Sequence, residues 1–399
     1  MVELHSKALN RTISIDRIIG QYRGNSEGPT LIFTGGIHGN EPSGVFALQS
    51  VMDDLAELNI PFHGNLYALS GNLVALEKGV RYNQVDLNRI WTREKIESFS
   101  KNGSQIAPLE VDEQMDIFYT INSILSKEKG PFYFFDLHTT SGETTPFLTV
   151  NDSLLNRKFT KQYPLPIVLG IEEFLDGPLL SYINELGYVA FGFEAGQHDS
   201  PLAYQNQISF IYLSMVYTGC LAKTHATIFQ HHKRLLRRSQ VRSKFFEIVY
   251  HYPIGIEEEF QMDPGYVNFQ RVTKYEPIAK SGDQMIEAQT DGQIFMPLYQ
   301  GKGDDGFFII KKIPIFFLAV SKLLRKTYFD RLLVLLPGVS WGSKNREELI
   351  VNVKVARFFT KQFFHLLGYR SKQVDKTHFK MRNREVASRN NDYKHASWR

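Results

Sequence analysis

From Ile13 to about Leu221, short apolar runs alternate with longer amphipathic stretches, and few architectures accommodate that rhythm. The runs "TLIFTGG", "GNLYALSGN", "PFYFFDLHTT", "PIVLGI" and "YVAFGFEAG" have the length and continuous apolarity of strands buried on both faces. Between them, "NEPSGVFALQSVMDDLAE" and "PLAYQNQISFIYLSMVYTGCLAKTHA" carry helical periodicity. Parallel strands need long crossovers, usually helices, so the reading is an α/β domain with a mostly parallel sheet. Four of the five runs end in Gly or polar residues, at the edge where such sheets bind ligands.

The basic segment "HHKRLLRRSQVRSK", from His231 to Lys244, reads as a solvated helix end followed by a linker. Short strands punctuated by Gly, Asp and Pro then predict a small β domain. From Pro314 the pattern turns helical and basic, and from about Ser371 apolar residues thin out, which predicts a frayed or disordered tail. The expected division is residues 1–240, 241–312 and 313–399.

Composition narrows the partners. The 399 residues carry 46 Lys and Arg against 42 Asp and Glu, a formal +4, so overall charge does not point to nucleic acid. The longest apolar runs, "IPIFFLAV" and "RLLVLLPGV", fall well short of the roughly 20 residues that span a bilayer. "MVELHSKALNRTISIDRIIG" has no apolar core behind a basic start, so no secretory signal is expected. A single cysteine, Cys220, fits a reducing compartment. A cytoplasmic protein is expected, its oligomeric state open, a homo-oligomer included.

The chemistry concentrates at the strand ends. "GGIHGNEPSG" places His38 and Glu41 in a glycine-rich loop, and "FFDLHTTSG" closes another strand with His138. Two imidazoles and a carboxylate leave one position of a tetrahedral zinc open, as hydrolytic sites do. Asp136, two residues before His138, would fix its tautomer. "FGFEAGQ" brings Glu194 to a third strand end, where a carboxylate can move a proton to and from water. "RYNQVDLNRIW", from Arg81 to Trp91, is too polar for a core strand, and its arginines suit a carboxylate or a carbonyl oxygen. Taken singly, each feature also has a structural reading: loop polarity, a local Asp–His hydrogen bond, a salt bridge. His198, in "GQHDSP", suits a supporting or surface role better than a direct one.

In that order, "GGIHGNEPSG", "DLNR", "DLHTT" and "FEAGQHDSP" resemble the succinylglutamate desuccinylase and aspartoacylase family, a branch of the zinc carboxypeptidase superfamily. The resemblance covers about residues 30 to 220, and more loosely the β segment to about 312. It implies a mixed sheet with helices on both faces, a small β domain narrowing the entrance, and one zinc per chain held by His38, Glu41 and His138. It also implies Glu194 as general acid and base, Arg81 polarising the scissile carbonyl, and Asn88 and Arg89 binding the substrate's carboxylate or a neighbouring polar group. The implied activity is removal of an acyl group from an N-acylated amino acid or similar small molecule. A metallocarboxypeptidase or peptide amidase would use the same centre. A binding protein with a vestigial zinc site and a basic C-terminal region is the alternative of another class.

Two departures bear on substrate. No Lys or Arg occurs from Gln162 to Glu194, where relatives specific for acetylaspartate carry an arginine. "GKGDDGFFII" offers Phe307 and Phe308 where a tyrosine is expected. Both point away from a small acidic substrate and toward one with a hydrophobic portion.

Overall fold

The computed structural model describes residues 1–399 except 59–60, 103–107, 223, 225–227, 239–243, 328, 336, 343–347, 353, 355–366 and 374–376. An 11-stranded sheet runs through the molecule, and at its centre lie the strands predicted from the apolar runs. Val189–Gln197, Phe132–Thr140, Ser26–Gly35 and His63–Ser70 are neighbours in that order and mutually parallel. Phe147–Val150 pairs antiparallel with Val189–Gln197, which makes the sheet mixed.

Side chains alternate across these strands and fill two cores. Leu31, Phe33, Tyr133 and Phe135 pack on one face with Phe210 and Leu213 of the helix Pro201–Thr218 and Leu48 and Val51 of the helix Ser43–Leu58. Ile32, Phe134 and Ala190 face the other way, onto Ile117 and Ile121 of the helix Leu109–Lys127 and Ile183 of the helix Leu179–Glu185. The helix Pro201–Thr218 is buried nearly all round because the basic helix Ile228–Arg238 covers its outer side. Residues 239–243 of the expected linker lie outside the described residues.

The β segment continues the large sheet and carries a core of its own. Phe245–Pro253 pairs in parallel with Ile167–Leu169, and Asp305–Lys312, Gly292–Phe295 and Arg271–Val272 extend the same sheet outward. A smaller sheet of Phe260–Met262, Pro277–Ser281 and Gln284–Glu287 packs beside them. Backbone hydrogen bonds thus cross the expected boundary near residue 241.

The C-terminal expectation needs a larger correction. Helix is found at Ile315–Lys326 and as a 3₁₀ segment at Phe329–Leu335, but the next elements are strands. Val339–Trp341, Glu348–Asn352, His378–Asn383 and Tyr369–Gln373 form a four-stranded antiparallel sheet. The tail is fastened rather than frayed: Tyr393 is fully buried, and Trp398 Nε1 donates to Tyr133 Oη at 2.9 Å. Two aromatic residues in an otherwise polar stretch suffice to dock it. Among the described residues no helix is long and apolar enough to cross a membrane.

Candidate active site

The parallel strands end together, and their register fixes which residues meet. Thr34 lies opposite Asp136, and His138 opposite Glu194. After Gly35 the chain turns sharply, with Gly36 at φ +75°, and passes so close to the helix Leu73–Lys78 that a Cβ on Gly39 would lie 2.1 Å from the carbonyl carbon of Ala75. Glycine is required there, and the tight turn points both His38 and Glu41 inward.

Three side chains converge. His38 Nδ1 is 2.9 Å from Glu41 Oε1, and His138 Nδ1 is 3.2 Å from Glu41 Oε2. The ring centroids are 5.3 Å apart, all three residues are buried, and one donor atom from each lies within 4.8 Å of the others. Carboxylates hold the far side of each ring: Asp136 Oδ2 is 2.7 Å from His138 Nε2, and Asp86 Oδ1 is 3.2 Å from His38 Nε2. Thr34 Oγ1 steadies Asp136 by donating to it at 2.7 Å. With each Nε2–H donated outward, the Nδ1 lone pairs face the Glu41 carboxylate, an arrangement that calls for a cation between them. Protons or a divalent ion can fill that need, and the donor set fits a tetrahedral metal with one position free.

The electrostatics agree. Burial alone would raise Glu41, but the charges of His38 and His138 hold it well below the ordinary carboxylate range. Burial likewise opposes charge on His138, yet Asp136 and Glu41 lift it well above an ordinary imidazole. Burial raises Glu194 to about 8. Its Oε2 is buried with no hydrogen-bond partner among the described residues. The helix Pro201–Thr218 locks both strand ends beyond the ladder, Gln207 Nε2 donating to the His138 carbonyl and Asn206 Nδ2 to that of Ala195, each at 2.9 Å.

The polar segment is brought in from the side. Asp86 caps a single 3₁₀ turn, Leu87–Arg89, by accepting from the Asn88 backbone N–H at 2.8 Å. Arg81 Nη2 donates to Asp86 at 3.0 Å and Nη1 sits 3.6 Å from Glu41, while its Nε is buried without a partner among the described residues. The Asn88 side-chain oxygen accepts from Leu179 N at 2.9 Å. Arg89 is paired with Asp305 at 2.9 Å. His198 bonds Thr139 Oγ1 at 2.7 Å and Gln300 Oε1 at 3.1 Å, and burial lowers its pKa.

His38, Glu41, Arg81, Asn88, Arg89, His138, Glu194 and His198 line one open cleft. Apolar residues line it as well: Ile171, Leu175, Pro178, Leu180, Met296 and Phe308. Every residue singled out in the sequence as ligand, proton carrier or substrate contact lies at this cleft, and Asp136 stands directly behind His138. Phe307 does not reach it; strand alternation turns that ring into the β-segment core, stacked on Tyr252 at 5.4 Å. Sequence reasoning missed Asp86 and Asp305. Asp86 begins "DLNR" and was readable as a cap, but its histidine is 48 positions away.

Residues 27–211 match the family model for the succinylglutamate desuccinylase/aspartoacylase catalytic domain. An N-acyl-aromatic-L-amino acid amidohydrolase (carboxylate-forming) of Xenopus tropicalis is 33% identical over 119 residues, 30% of this chain and 36% of that protein. A succinylglutamate desuccinylase of Pseudomonas putida is 29% identical over 112 residues, 28% of this chain and 31% of that protein. The chain thus spans about a third of the length of the curated relatives it matches. A crystal structure of succinylglutamate desuccinylase/aspartoacylase from Rhodobacter sphaeroides shares the fold, with a TM-score of 0.55 at 17% identity over 78% of this chain and 94% of that one. Residues 27–211 are thus similar to the succinylglutamate desuccinylase/aspartoacylase catalytic domain, and the chain shares the fold of the Rhodobacter sphaeroides structure.

Proposed function

We propose that this protein is a zinc-dependent amide hydrolase that removes the acyl group from an N-acylated amino acid with an apolar portion. The observation that carries this reading is a buried carboxylate with a free oxygen, Glu194, in register beside the converging His38, Glu41 and His138. Those three residues would hold the ion. When bound, zinc supplies a Lewis acid that brings a water's pKa to about 7.

The chain's own groups do the rest. Glu194 accepts the attacking water's proton and delivers it to the leaving nitrogen, a role suited to a carboxylate whose burial has raised its pKa toward neutrality. Arg81, held by Asp86, directs its guanidinium to the carbonyl oxygen, where negative charge grows in the transition state. Asn88 and Arg89 supply polar contacts to the amino-acid part. Ile171, Leu175, Leu180 and Phe308 receive the apolar part and exclude water from it. The amidohydrolase of Xenopus tropicalis, named for N-acyl aromatic amino acids, supports a hydrophobic substrate.

Metal analysis of the purified protein, with a panel of N-acylated amino acids, tests the reading. One zinc per chain is expected, with its loss in His138→Ala; unchanged stoichiometry and affinity in that variant would contradict the ligand assignment.

A further inference from the structure

The cleft holds a group that the proposed chemistry does not use. Asp305 opens the strand Asp305–Lys312 and lines the cleft beside Arg89. Both of its oxygens are engaged: Oδ2 accepts from Arg89 Nη2 at 2.9 Å, and Oδ1 lies 2.7 Å from His251 Nε2. His251 is itself fixed, its ring stacked on Phe308 at 4.6 Å and 11°. Arg89 donates its other terminal nitrogen to the Asn88 carbonyl at 3.1 Å. Arg89 therefore meets the cleft as half of an ion pair.

The consequence concerns charge. Among the described residues, Arg81 and Arg89 are the arginines lining the cleft, and both are committed to carboxylates, Arg81 to Asp86 and Glu41, Arg89 to Asp305. A carboxylate on the substrate's side chain that entered beside Arg89 would meet a cation already neutralised and an anion at contact distance. Burying it there is costly, and rejection of a like charge is an effective route to specificity. An uncharged amide or apolar group meets no such penalty.

We propose that Asp305 is the specificity-determining residue of this site: by pairing with Arg89 it excludes N-acyl dicarboxylic amino acids and selects substrates whose side chain is uncharged. The inference rests on the deacylase reading for its reaction, but not for its binding preference. It adds to the apolar lining a named charge that does the rejecting.

Acetylaspartate and acetylasparagine, nearly isosteric and different in one charge, are the probes. Wild-type protein is expected to turn over acetylasparagine with a kcat/KM at least about tenfold above that for acetylaspartate. Asp305→Asn keeps the size and hydrogen-bonding capacity while removing the charge; that ratio should then fall by about tenfold or more, chiefly through a lower KM for acetylaspartate. A wild-type preference for acetylaspartate, or a ratio in Asp305→Asn within about threefold of wild type, would overturn the proposal. If Asp305→Asn does not fold, the wild-type ratio still decides. If wild-type protein hydrolyses neither compound, the deacylase reading has failed for them, and calorimetric binding of the same two compounds decides separately: tighter binding of acetylasparagine upholds the role of Asp305, and tighter binding of acetylaspartate overturns it.

Discussion

Asp86 ties together groups that the chemistry needs in one place: it faces His38 Nε2, accepts from Arg81, and caps the turn that carries Asn88 and Arg89. Burial works against its charge, but His38 and Arg81 hold its pKa well below the ordinary range, so it stays an acceptor at any physiological pH. Asp86→Ala should weaken zinc about 10- to 100-fold, as loss of a ligand's hydrogen-bond partner typically does. Competition with a chelator measures this, and unchanged affinity in a folded variant would contradict the role. What the sequence made legible at this scale follows from local spacing. His38 with Glu41, and Asp136 with His138, lie within three residues of each other and at strand ends, so their association was readable. Asp86 and Asp305 were not, because each acts on a partner far along the chain, Asp305 on an arginine 216 positions away.

At the scale of elements, the tail from Asn390 acts on the middle of the sheet. Tyr393 Oη donates to the Phe132 carbonyl and accepts from Val189 N, so one hydroxyl bridges the first residues of two adjacent parallel strands. Its ring meets Tyr133 edge-on at 5.2 Å, and Trp398 closes over Phe159. Tyr393→Phe removes the bridge and leaves two buried backbone groups without it, at a cost of about 1–3 kcal/mol. Denaturant unfolding measures this, and a change below about 0.5 kcal/mol would contradict it. Polarity misled the sequence reading here: composition sees Lys, Asn, Asp and Arg, whereas two aromatic side chains decide where the segment goes. The four-stranded C-terminal sheet was hidden for a related reason. Its strands are short, Lys and Arg interrupt two of them, and Val339, Leu349, Val351, Tyr369 and Met381 pack on a small separate core.

At the scale of the whole molecule, a buried ion network joins the C-terminal segment to Asp152, Arg157 and Glu172, beside the sheet that carries the site. Arg325 donates to Asp152 at 2.7 Å and to Glu385 at 3.0 Å, Arg157 joins Asp152 at 2.7 Å, and Arg384 reaches Glu172 at 2.9 Å. Burial opposes the charge of Asp152, but Arg157, Arg325 and Arg384 press its pKa far below the usual range. A depressed acid stabilises the fold above its unfolded value of about 3.9, and that contribution is lost as pH falls through and below it. Glu172, raised by burial, has the opposite sign and offsets part of the loss. The denaturation midpoint should therefore drop steeply below about pH 4, and a flat midpoint through that range would contradict the network's role. The network also brackets the cleft wall, since Asp152 follows Asn151 and Glu172 follows Ile171, both cleft residues. Alternating runs made the central sheet legible over residues 30–220; nothing local announced that arginines beyond 320 would fasten it. All of this framework serves one claim, that a buried Glu194 beside His38, Glu41 and His138 moves the proton in amide hydrolysis. The most direct measurement is kcat/KM of zinc-loaded wild type and Glu194→Gln on acetyl-phenylalanine. The expected result is full metal content with a loss of about 10²- to 10⁴-fold, and a variant with activity within about tenfold of wild type would contradict the account.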